Sequence, residues 1–255
     1  MKKLYLLIAL LASTSITHAT INDINIKADD QVEWHQKENK MIAKGNATAT
    51  KNDMSIKANE LIGHYENING KNSIKTMHAV GNVILESEQT TAYGNTMDYD
   101  LKQDEAILKG SPAQIKTDSE IISAHDYIIY YPGKEKAIAH GNIEITDKEK
   151  NKIYSDNLNA FFKKNAQNKL EIDKVDINNN VKIITKDTTV TAKRGTYLPQ
   201  TGVIHLYENV VITQQGGNIL RGEHAESNLN TGISKLISGT KGGRVTGVFK
   251  ENSNK

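Results

Sequence analysis

Five times this chain writes a residue pair ending in Asn and follows it with an alternating apolar run. Gly45-Asn46 precedes ATAT, Gly81-Asn82 precedes VILE, Gly141-Asn142 precedes IEIT, Asn179-Asn180 precedes VKII and Glu208-Asn209 precedes VVIT. A sixth copy carries Pro112 in place of Asn, before AQIK. The first and third residues of each run are apolar, so the period is two and they share one face of a strand. Gly and Asn tolerate positive φ. Each pair is therefore expected to be a corner, with a half-buried strand after it.

A second unit alternates with the first. It is built on a small residue: Ala28, Ala58, Ala92, Ala124, Ser155, Ala192 and Gly222, spaced 30, 34, 32, 31, 37 and 30 residues apart. Five to seven positions later stands Trp34, Tyr65, Tyr99, Tyr130, Phe161 or Tyr197, with Leu229 in the seventh copy. Turn signals follow, as in PGKEKAIA and PQTGVIHL. Self-similarity at such a period defines an array, here of about 16 to 20 short strands. The stretch 155–170 has some helical character but falls in register with the second unit, and reads as strand.

Many short alternating strands fit three architectures. An outer-membrane barrel needs aromatic girdles, and aromatics are only 5% of the chain. A parallel β-helix suits the regular corners, but hairpin-like turns suit antiparallel strands better. The expected fold is all-β, an open antiparallel β-jelly roll of many short repeated strands, with the parallel β-helix as the alternative.

The N-terminus reads as a secretory signal peptide over residues 1–19. Lys2 and Lys3 form its basic start, Leu4 to Ala12 its apolar run, and cleavage is expected near Ala19. The apolar run is too short for the roughly 20 residues of a membrane span. The jelly roll is expected over residues 20–250, and residues 251–255 are expected to be a disordered tail. With Lys+Arg 32 against Asp+Glu 30 and no basic run, the composition gives no footprint for nucleic acid. The absence of cysteine excludes a disulfide framework.

No catalytic constellation is legible. The histidines lack metal-ligand spacing, and neither Gly-rich stretch (215–222, 239–247) matches a phosphate-binding fingerprint. No catalytic residue, metal or cofactor is expected. A binding face is easier to build: Ile56, Val83, Leu85, Ile143, Ile145, Val181, Ile183, Val210 and Ile212 share one apolar face. From pattern alone that face is either an open lipid-binding groove or the closed core of an exported scaffold. Unpaired edges near Ile24 and Ile26 at one end, and Val245 and Val248 at the other, are candidate subunit-docking sites.

GNVILESEQTTAYGNTMDYD, GNIEIT with IYSDNLNAFF, and NNVKIITKDTTVTAKRGTYL resemble the repeat of the OstA-like (LptA) family, and IKADDQVEW resembles its first strand pair. The likeness runs over about residues 22 to 245. The resemblance implies a non-enzymatic periplasmic protein of lipopolysaccharide transport in Gram-negative outer-membrane biogenesis. Its members stack head to tail as a bridge between inner- and outer-membrane components, and the groove carries lipid A chains.

Overall fold

The computed structural model describes residues 24–250 apart from 53, 69–70, 88–89, 167–169, 229–230, 232 and 240–243. The signal peptide expected over 1–19, the tail expected over 251–255 and Leu229 lie outside the described residues. Among the described residues eighteen strands join in one antiparallel system. They are β1 (Asn25–Lys27), β2 (Gln31–His35), β3 (Lys40–Lys51), β4 (Met54–Ile68), β5 (Lys71–Ser87), β6 (Thr90–Asp100), β7 (Glu105–Lys109), β8 (Ala113–Thr117), β9 (Glu120–Ala124) and β10 (Tyr127–Tyr131), followed by β11 (Lys136–Asp147), β12 (Lys152–Lys164), β13 (Leu170–Ile184), β14 (Thr188–Leu198), β15 (Val203–Gln214), β16 (Ile219–Asn228), β17 (Ile233–Ile237) and β18 (Thr246–Val248).

The Asn-containing corners lie inside strands rather than before them. β3 pairs with β2 through Lys40–Lys44 and with β1 through Thr48–Thr50, and its register slips between Lys44 and Ala47. The same slip recurs at His140/Ile143 in β11, Asn178/Val181 in β13 and Tyr207/Val210 in β15. A bulge adds a residue and bends the strand. Each long strand therefore runs through one sheet, turns at the bulge and continues in a second. We call the sheet holding Lys40–Lys44 sheet I and the one holding Thr48–Thr50 sheet II. Where the chain breaks at the bend instead, two short strands share the work: β1 with β2, β7 with β8, β9 with β10, and β17 with β18. The inner residues of both sheets form one buried core, so the two faces close on each other as in a sandwich.

All five predicted asparagines have positive φ: Asn46 43°, Asn82 51°, Asn142 40°, Asn180 53° and Asn209 56°. Three of their side-chain amides donate to the neighbouring layer at the same level. Asn46 Nδ2 reaches Asp29 Oδ2 at 2.8 Å, Asn82 Nδ2 reaches Asn59 Oδ1 at 3.2 Å, and Asn180 Nδ2 reaches Asp156 Oδ2 at 2.6 Å. The glycine before the Asn lies beneath the neighbouring side chain. A methyl group on Gly141 (φ 85°) would run into the Asp126 carboxyl.

One departure from the sequence pattern is Phe161. A register shift between Phe161 and Phe162 turns Phe162 into the core and Phe161 outward. There Lys174 Nζ lies 4.7 Å and Lys136 Nζ 5.3 Å from its ring centre.

The geometry repeats after 96 residues. Short 3-10 turns at Gln36–Glu38 and Pro132–Lys134 end on Asn39 (φ 49°) and Glu135 (φ 48°). The Asp29 N–H donates to the Gly45 carbonyl at 2.7 Å, and the His125 N–H to the Gly141 carbonyl at 2.6 Å. The Tyr65 N–H donates to Asn39 at 2.9 Å and the Phe162 N–H to Glu135 at 2.8 Å. β1–β8 are thus one unit, and the second begins at β9. The seam between them is made by β7 against β10 and β8 against β9.

Gly141→Ala should lower stability by about 1–3 kcal/mol, since it forces a Cβ into positive φ and a filled space. Gly63→Ala, where the nearest atom to a new Cβ is 3.6 Å away, should be close to neutral. Thermal melts of the two variants check the difference.

Candidate functional site

The nine apolar residues singled out from the sequence all fall on the inner face of sheet II. Their register builds one continuous row. It starts Ile26–Ala49–Ile56–Leu85–Ala92–Ile115 and crosses the seam to Ile122. It continues Ile145–Ile153–Ile183–Val190–Ile212–Leu220. A second row, nearer the bend, sets large residues opposite small ones: Ile143 with Ser155, Val181 with Ala192, Val210 with Gly222.

Sheet I supplies the facing row, which the sequence reading does not single out. It runs Val32–Ala43–Leu61–Ala79–Met97–Leu108 and crosses the seam to Ile128. It goes on Ala139–Leu158–Ile177–Gly195–Leu206–Ala225–Leu236. The alternation of large and small is again a packing device, because a methyl on Gly195 would meet Leu206 and one on Gly222 would meet Leu236. With strands about 4.8 Å apart, each row is on the order of 60 Å long.

The inner faces touch along most of this length. Val83, Ile143, Leu158, Ile177, Val181 and Val210 are fully buried. At the β1 end the sheets separate into an apolar slit of about 40 Å³ between Ile24, Ile26, Ala49, Met41, Leu61 and Tyr65. Ile24 and Ile26, expected to mark a docking edge, turn their side chains into this slit and pack on the core. The edge they leave free is the backbone of β1. At the other end Val245 and Val248 are exposed.

The end strands bare apolar side chains that the seam covers. Val32 and Trp34 are 51% and 57% exposed, whereas their counterparts in the second unit, Ile128 and Tyr130, are 5% and 4% exposed. The difference is the second neighbour: β10 has β7 on the side away from β11, whereas among the described residues β2 pairs only with β3. Burial, with Asp104 and Glu135 nearby, pushes the Tyr130 hydroxyl up to about 12, so it stays neutral inside the core.

A buried carboxyl interrupts the apolar lining at its rim. Glu120 is inward-facing on β9, in line with Ile122 and Ala124, and is 3% exposed. Neither carboxylate oxygen has a hydrogen-bond partner, and the same holds for the Thr90 hydroxyl on β6. The first unit has Ile24 at the place of Glu120. Nothing in the repeat pattern marks Glu120, because turn-flanking acids are ordinarily solvated. Among the described residues no group of three or more His, Cys, Asp or Glu could hold a metal, and no helix is long and apolar enough to cross a membrane.

The fold and its lining define a class: an all-β antiparallel jelly roll, edge-open at both ends, with an apolar interior running end to end. Residues 25–135 and again 130–233 match the family described as LptA/(LptD N-terminal domain) LPS transport protein. The chain belongs to this family, which is one of lipopolysaccharide transport proteins and not of enzymes. The two matches overlap over residues 130–135, at the end of β10. No curated protein matches. Among solved structures the chain is similar to LptH of Pseudomonas aeruginosa, described as the LptA homologous periplasmic component of the lipopolysaccharide transport device. The identity is 17% and the TM-score 0.42, over 49% of this chain and 94% of that one.

Burial, reinforced by Asp147, raises the Glu120 carboxyl from 4.5 to about 7. Its proton is held more tightly in the folded than in the unfolded chain. The contribution of Glu120 to stability is therefore intact below about pH 4.5 and falls as pH rises to about 7, by on the order of 3 kcal/mol. Glu120→Gln should remove that part of the pH dependence, which denaturant melts of both proteins at about pH 4 and pH 8 would measure.

Proposed function

We propose that this chain is a periplasmic carrier of lipopolysaccharide, moving it from the inner to the outer membrane with the acyl chains of lipid A between the two sheets. The observation that carries the reading is the pair of unbroken apolar rows running from one open edge to the other. Ile56, Val83, Leu85, Ile143, Ile145, Val181, Ile183, Val210 and Ile212 would contact the acyl chains from sheet II, and the row from Val32 to Leu236 from sheet I. Parting the sheets into water costs about 25 cal/mol per Å² of apolar surface exposed. Parting them around an acyl chain exchanges one apolar neighbour for another. Among the described residues the ladder pairings run within each sheet and cross only along the bends, so the far rims can separate without breaking them.

The second reading is an exported scaffold with a permanently shut core, and the full burial of Ile143 and Val181 favours it. A photoreactive residue at Ile143, with outward-facing Glu144 as control, separates the two in cells. The carrier reading expects a lipopolysaccharide adduct at 143 and none at 144. A folded, exported protein with no adduct at either position would establish the scaffold.

The same reading makes the chain part of a bridge, joined head to tail with further copies and with the inner- and outer-membrane components of the export machinery. The seam supplies the pattern for the joint. β7 then β8 run from sheet I to sheet II, as do β17 then β18, while β9/β10 and β1/β2 run the other way. β17/β18 of one copy can therefore add antiparallel to β1/β2 of the next. Leu236 is placed beside β16 as Leu108 is beside β6, and Leu108 sits opposite Ile128. The joint then sets Leu236 opposite Val32. Because the chain has no cysteine, the double variant Val32→Cys, Leu236→Cys should oxidise to a ladder of covalent oligomers on a non-reducing gel. Leu108→Cys with Ile128→Cys should close within one chain. Dimers formed by Val32→Cys alone would instead indicate edge-to-edge symmetry.

A further inference from the structure

We propose that the seam carries a polar subsite, built on Glu120, for a primary ammonium group borne on an alkyl or acyl chain. The inference rests on the carrier reading and refines what the interior accepts.

The argument begins with a cost. A carboxylate removed from water without a partner is strongly unfavourable, and here both oxygens of Glu120 are buried and unpartnered. A purely structural residue at this place would be apolar, as Ile24 is in the first unit. The backbone does not demand a carboxylate either. The Glu120 N–H and carbonyl are already engaged by the Thr117 hydroxyl, at 3.1 and 3.3 Å, an arrangement indifferent to the side chain.

The surroundings select the sign of the ligand. Asp147 on β11 is directly opposite Glu120 in register. Its carboxylate accepts 2.8 Å bonds from the backbone N–H and the side-chain amide of Asn151, and its charge adds to the negative field at Glu120. A second anion would be repelled, and a neutral group would leave that field uncompensated. An ammonium brings three donors and a positive charge. Thr90, also buried with its hydroxyl unpartnered, faces inward at the same rim. It can accept from another polar atom of the same head group.

The geometry also orients the chain. Glu120 lies at the rim of sheet II, and Ile122, two residues inward on β9, is the point where the apolar row crosses the seam. A head group at Glu120 therefore places its tail along Ile122, Ile145 and Ile153. This is an amphiphile's polarity, polar at the rim and greasy within.

Competition against a fluorescent acyl-chain probe tests the assignment on the intact mature protein, using decylammonium, decanol and decanoate below their micellar concentrations. Decylammonium should displace the probe about tenfold more tightly than decanol, the size expected of one charge-assisted hydrogen bond, with decanoate weakest. Glu120→Gln, and Glu120→Ile as the variant that restores the first unit's residue, should bring ammonium and alcohol to within about twofold while decanol affinity holds. An equal affinity of the wild type for the two, or a preference that survives both variants, would overturn the subsite and leave the carrier reading standing. Failure of all three chains to displace the probe would overturn both.

Discussion

Everything in this molecule hangs on the line of bends. A sheet of long antiparallel strands would be flat or gently twisted, with one face in water. Here strand after strand takes an extra residue at the same level, and the sheet folds along that line. The bend is held by small local terms: a positive φ that Gly and Asn accept, and an amide donated sideways to Asp29, Asn59 or Asp156. The glycines at 45, 81 and 141 leave space that those side chains or their neighbours fill. Without the bend there would be no inner face, and the rows of Ile, Leu, Val and Ala would lie against solvent.

The second constraint is that the roll never closes. Its first and last strands expose Val32, Trp34, Val248 and Phe249. The seam shows what becomes of such residues when a neighbour arrives: their equivalents Ile128 and Tyr130 are buried. The seam thus supplies to β9 and β10 the strand neighbours that, among the described residues, β1 and β2 lack.

Much of this was written in the sequence. The asparagines at 46, 82, 142, 180 and 209 each mark a bend, because positive φ is a local requirement met by few residues. The period-two alternation placed all nine apolar residues on one face for a similarly local reason. What escaped were features set by pairing between strands. That a corner lies within a strand, not before it, depends on whether the partner also bulges, as β4 does between Lys57 and Glu60. Spacing singled out Phe161 as the aromatic of its repeat, and a one-residue slip against β13 puts Phe162 in the core instead. The duplication after 96 residues was masked because its strongest conserved elements are backbone hydrogen bonds, with Asn39 matched to Glu135 and Tyr65 to Phe162. Glu120 was invisible because an acid beside a turn is usually at the surface, and only the inward register of β9 buries it.

The pairing of each strand with near neighbours along the chain has a consequence for how such a protein changes over time. In a closed barrel, strand number, tilt and diameter are tied together, so a strand cannot be added without rebuilding the whole. Here, among the described residues, no strand pairing joins the first strand to the last, and stability is close to a sum over adjacent layers. Length is a free variable, adjustable by whole units at no cost to those already present. The reach of one chain is therefore set by the number of units in it, and two units fused in one polypeptide keep their seam at any protein concentration.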